Sequence, residues 1–156
     1  MKNLVTLTLI DKPSEKTTLS DLNLNEIPGD DIHLKSVEGI YDGPLTGTCE
    51  WRGSEYFFSE CWELGVSVPV NRFPQYYLVV EFTPEQKLQK KELDKQLEEI
   101  KFEILHKKIA KEEYYRKLGK ISPQISIRKN QIVGWFSSLR RDGSDTHFRQ
   151  EYFEYT

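Results

Sequence analysis

A chain of 156 residues can bury one good core but hardly two, so residues 1–156 are read as a single domain. Its composition, 37% hydrophobic, 12% aromatic and 30% charged, excludes a disordered chain, and no run of about eighteen apolar residues predicts a membrane helix. A net charge of −3 and a pI of about 5.7 argue against general nucleic-acid affinity.

Residues 4–10, LVTLTLI, alternate Thr6 and Thr8 with Val5, Leu7 and Leu9, the period-two signal of a strand with one buried face. The threonines interrupt any signal-peptide core and no small-residue cleavage site follows, so a cytoplasmic location is expected. TTLSDLNLNEIPGDD offers Ser20 and Asp21 as caps before a break at Pro28 and Gly29, which predicts a short helix or irregular turn. IHLKSVEGIY resumes strand character and DGPLTG has turn chemistry. TCEWRGSEYFFSECWE, residues 48–63, is expected to be a hairpin turning at Arg52-Gly53 through a loop of two or three residues. In GVSVPV, Pro69 allows only an edge strand or a loop. QYYLVVEF, residues 75–82, is the strongest strand of the chain because β-branched and aromatic residues run almost unbroken.

The period changes at Thr83-Pro84-Glu85-Gln86, a capping box with proline at the first helical position. A long helix starts there, with Leu93, Leu97, Ile100 and Ile104 on one narrow face and Phe102, Leu105 and Ile109 on a second. Lys107 and Lys108 suit a helix C-terminus, so a second, short helix is placed from about Lys111, carrying Tyr115 and Leu118 to Gly119. EILHKKIAKEEYYRKLGKI resembles the short helical hairpins at the ends of many bacterial proteins and points to no family. After ISPQ, residues 125–136 return to strand character, RRDGSD supplies a turn, and HFRQEYFEY reads as a last strand. The fold class is α+β: mainly an antiparallel sheet or partial barrel, with a long helix or helical hairpin (about 84–118) packed on it. Residues 1–83 form the β-rich part, 84–119 the helical insert and 120–156 a β-hairpin region.

Chemistry-bearing motifs are sparse. Cys49 and Cys61 would lie roughly 17–20 Å apart in the hairpin register at about 3.3 Å per residue, too far for a disulfide, and are read as buried thiols. The three histidines share no local motif, although His106 and His147 are conceivable as acid and base of a nuclease. Asp30, Asp31 and His33 read as a solvated turn rather than a metal site. No glycine pattern builds a nucleotide loop, and no cofactor is implied. Glu50, Glu55, Glu60 and Glu63 are expected on a solvated outer face.

Charge is asymmetric along the chain. Residues 1–63 hold twelve acidic and five basic side chains, residues 114–156 four acidic and eight basic. The basic third interleaves Arg116, Lys117, Lys120, Arg128, Lys129, Arg140 and Arg141 with Tyr114, Tyr115, Trp135 and Phe136, so nucleic acid is a possible partner of residues 114–149. Without a catalytic motif, the favoured reading is a small non-catalytic protein-interaction module that occludes a partner's surface, in the manner of immunity proteins, phage-encoded inhibitors and adaptor subunits. Its expected binding residues are Glu50, Trp51, Arg52, Glu55, Phe57, Trp135, Arg140 and Arg141, because aromatic and arginine side chains anchor interfaces. The second stripe of the long helix allows a homo-oligomer through 84–118.

Overall fold

The protein is described by a computed structural model covering residues 5–38, 46–69, 74–106, 110–121, 124–144 and 146. Among these residues, seven strands and two α-helices follow in chain order: β1 (Thr6–Leu9), β2 (His33–Val37), β3 (Thr46–Trp51), β4 (Ser54–Glu60), β5 (Tyr76–Val80), α1 (Pro84–Leu105), α2 (Lys111–Ile121), β6 (Gln124–Ile127) and β7 (Ile132–Ser137). The fold is α+β. Five strands form an antiparallel sheet in the order β2-β3-β4-β5-β7, which does not close into a barrel, while β1 and β6 form a separate parallel pair. The stretch expected to be a last strand after residue 146 lies outside the described residues.

Both faces of the large sheet are buried in its middle strands. One face carries Phe57, Leu78 and Val80, packed with Leu7, Leu9, Ile125 and Ile127 of the parallel pair and with Leu93 and Leu97 of α1. The other carries Cys49, Phe58, Tyr77, Val79 and Phe136, packed with Ile27 and Ile32. Consecutive side chains alternate across a strand, so the apolar pairs Phe57-Phe58 and Val79-Val80 serve both layers. Glycine permits two close approaches. A Cβ on Gly47 would lie 1.9 Å from the Ser36 carbonyl oxygen, and one on Gly134 would lie 2.7 Å from Ile27.

α1 begins where the capping box places it. The Thr83 hydroxyl accepts from the Gln86 amide, the Gln86 side chain accepts from the Thr83 amide, and Pro84 opens the first turn. Gln86 also donates to the Ser126 carbonyl at 2.8 Å, and Gln89 reaches the Gln124 carbonyl at 3.5 Å. The first turns of α1 thereby cover the outer edge of β6, a common way to blunt an open strand. Lys90, Leu93, Leu97 and Ile100 are buried and Ile104 is half-buried. α2 follows as a separate short helix, tied back by Lys117 to Glu103 at 2.8 Å. No helix among the described residues is long and apolar enough to cross a membrane.

Candidate functional site

The β3–β4 hairpin turns through two residues, because Trp51 pairs with Ser54 and Cys49 with Tyr56. Arg52 has φ 51° and Gly53 φ 77°, the two positive values that a type I′ turn requires. Glycine adopts this conformation freely, whereas arginine pays for its Cβ, at about 1–2 kcal/mol. The position therefore holds a residue that the turn alone would not select.

The tip projects. β4 pairs with β5 only from Phe57 to Glu60, so Ser54, Glu55 and Tyr56 have β3 as their sole strand neighbour among the described residues. One face of the tip is aromatic and cationic: the Arg52 guanidinium stands 4.4 Å from the centre of the Trp51 ring, and Trp51 packs on Tyr56 at 5.7 Å. Both rings are half-buried against the layer that holds Cys49, Phe58 and Phe136, which leaves part of each accessible. The opposite face is acidic. Glu50 lies directly across from Glu55, a destabilising like-charge pair relieved by Lys35, which bridges to Glu50 at 3.0 Å. Lys35 sits where the β2–β3 register slips between Leu34 and Ser36, and a bulge of this kind re-aims its side chain. The sequence reading missed Lys35 because a bulge leaves no periodic signature.

Four of the expected binding residues, Glu50, Trp51, Arg52 and Glu55, thus meet at one tip. The other four do not join them. Phe57 is buried at 2% exposure and stacks on Phe82 at 4.9 Å, so it packs in the core beneath α1 and presents nothing to a partner. Trp135 is half-buried on β7, packed on Tyr76 at 5.8 Å, with its backbone paired to Asn25 and Ile27. β7 runs away from the hairpin tip, since Ser137 pairs with Tyr76 at the start of β5 while the tip extends past Val80 at its end. Arg140 and Arg141 therefore stand at the far end of the sheet. There Arg141 bridges Asp31 at 2.9 Å and its amide donates to Asp30 at 3.0 Å, which explains the acidic Pro-Gly-Asp-Asp turn as a clasp on the turn from Arg140 to Ser144.

The alternative chemistry finds little support in the geometry. His106 is exposed at the end of α1, its Nδ1 2.9 Å from the Phe102 carbonyl and its ring stacked on Phe102 at 3.9 Å. His147 lies outside the described residues. In the basic third, Arg116 pairs with Glu113, Lys117 with Glu103 and Arg141 with Asp31, so three of its cations already meet carboxylates. Among the described residues no group of histidine, cysteine and acidic side chains could hold a metal. Cys49 and Cys61 are free and buried, in the layers on opposite faces of the sheet. Cys61 lies in a 3-10 turn, Cys61–Leu64, that follows β4 rather than in the strand. Burial pushes both thiols up to about 12, which keeps them protonated and unreactive near neutrality. Compared with protein-family models, with curated proteins and with solved structures, the chain matches none.

Proposed function

We propose that the chain is a small, cytoplasmic, non-catalytic protein-interaction module that occludes a partner's surface with the tip of its β3–β4 hairpin. The observation that supports this most is Arg52, held at positive φ over the Trp51 ring. Strained backbone held by a non-glycine residue is concentrated at functional positions. An arginine stacked on a tryptophan beside a tyrosine is the residue set that anchors protein interfaces. The acidic reverse face, Glu50 and Glu55, fits a basic target, because complementary charge steers encounter and fixes register. Two free thiols fit a reducing compartment.

The test is affinity capture from the native cells with four baits: the wild-type chain, Arg52→Asn, Glu55→Lys and His106→Ala. A protein retained by wild type and His106→Ala, and depleted at least tenfold by both tip variants, supports the reading. Equal capture by all four, or loss with His106→Ala alone, sinks it. A nucleic acid retained equally by all four baits would instead move the function to the basic third of the chain.

A further inference from the structure

α1 buries one face and leaves another, unlike it, turned outward. Along that outer face run Leu88, Lys91, Lys95, Glu98, Phe102 and Leu105, spaced by three and four residues in turn, which is the a/d spacing of a coiled-coil seam. The apolar members are well exposed: Leu88 at 68%, Phe102 at 51% and Leu105 at 69%. The core stripe through Leu93, Leu97 and Ile100 lies on the opposite side of the helix. The seam thus has leucines at its two ends and charges at its centre.

The order of those charges is wrong for a lone helix. Lysine followed three residues later by glutamate is the weaker orientation of an intrahelical pair, and among the described residues Lys91, Lys95 and Glu98 join no ion pair. Reversed against itself, the same order is complementary. In an antiparallel pair of seams, a positions meet d positions, and centring the two-fold axis between Gln96 and Leu97 sets Lys95 against Glu98 twice. It also sets Leu88 against Leu105, and Lys91 against the Phe102 ring, a cation–π geometry. On the flanks Asp94 meets Lys101 and Glu92 meets Glu99, one favourable contact and one unfavourable, so the central pairs decide. A parallel pair would instead put Lys95 on Lys95 and Glu98 on Glu98.

We propose that α1 docks on α1 of a second copy as an antiparallel, left-handed homodimer. Its contact is one helix of 22 residues, about 33 Å long, which sits at the small end of specific interfaces and makes the dimer weak and concentration-dependent. Polar groups in such a seam cost stability and specify orientation.

Sedimentation equilibrium of the full chain in low salt, from about 10 μM to about 1 mM, tests this across the weak end of specific association. The expected weight-average mass rises from the monomer's 18.4 kDa toward twice that value. Lys95→Glu and Glu98→Lys should each weaken association at least tenfold, and the double reversal should restore it, because the swap recreates both pairs. All four chains should melt alike, since both side chains are exposed. A monomer at about 1 mM, single reversals that dimerise as well as wild type, or a double reversal that stays monomeric would each overturn the proposal. The hairpin tip plays no part in it, so Arg52→Asn should dimerise like wild type whatever becomes of partner binding.

Discussion

Lys90 is the charged member of α1's buried face. Its ammonium donates to Glu38 at 2.5 Å and to Asp94 at 2.6 Å, and it stands 5.6 Å from the centre of the Phe57 ring. The trio ties the helix to the end of β2, where Glu38 follows Val37 and its amide donates to the Thr46 carbonyl at 2.8 Å. Burial raises the pKa of Glu38, and the attraction of Lys90 offsets only part of that, as expected when desolvation outweighs Coulomb gain in a buried pair. The two partners should therefore respond differently to replacement. Lys90→Met leaves Glu38 buried without its cation and should cost about 3–5 kcal/mol, whereas Glu38→Gln should change stability by less than half of that in chemical denaturation at neutral pH.

The sign of the pH dependence follows from the same shift. A carboxyl whose pKa is higher folded than unfolded binds its proton more tightly in the native state. Its contribution is fully present below the ordinary value of 4.5 and is lost as pH rises through the folded pKa. The stability of wild type relative to Glu38→Gln should accordingly fall as pH is raised from about 4 toward neutrality. A difference that stays flat or grows over that range would contradict the burial argument. The cysteines give a simpler check: with both thiols buried and raised to about 12, a thiol reagent at neutral pH should label neither until the chain is unfolded.

Among the elements, α1 and the β3–β4 hairpin were the most legible in the sequence, for opposite reasons. The helix start is encoded locally by Thr83, Pro84 and Gln86, and the structure uses all three. Thr83→Ala should cost about 1 kcal/mol. Leu97→Asp, which puts a charge into the buried stripe, should cost several times as much in thermal unfolding. The hairpin's position was legible from Arg52-Gly53, but its loop length was not, because two- and three-residue turns share the same residue types. That choice decides which aromatics face which layer. The two-residue loop sends Trp51, Tyr56 and Phe58 to one face and Phe57 to the other. The sequence does not mark Phe57 as core because a strand buried on both faces has no polar alternation to show its core side. The turn makes a further prediction: Arg52→Asn should raise stability by a few tenths of a kcal/mol, since asparagine before glycine is favoured in a type I′ turn, while weakening partner binding.

At the scale of the molecule, the α+β class and the packing of α1 on a mainly antiparallel sheet were readable from element types alone. The parallel pairing of β1 with β6, more than a hundred residues apart, was not. LVTLTLI and QISI each announce a strand, but a period of two says nothing about which distant strand completes the ladder. The candidate site divided along the same line. Glu50, Trp51, Arg52 and Glu55 are neighbours in sequence and meet in space, whereas Trp135, Arg140 and Arg141 were joined to them by residue type and are separated from them by strand direction. The charge asymmetry of the chain is likewise partly consumed by the fold, as the clasp of Asp30 and Asp31 on Arg141 illustrates. What remains at the hairpin tip is an acidic face backed by an aromatic-cationic one. If it binds a basic target, association should slow and affinity should fall as salt rises from about 50 to 500 mM.

The claim that the tip recognises a protein is tested most directly by titrating the captured partner, in a calorimeter, into wild type, Arg52→Asn, Glu55→Lys and His106→Ala. The two exposed tip variants should weaken binding at least tenfold while melting within a few degrees of wild type, and His106→Ala should bind as wild type does. Unchanged affinity in both tip variants, or a loss of affinity confined to His106→Ala, would contradict the account.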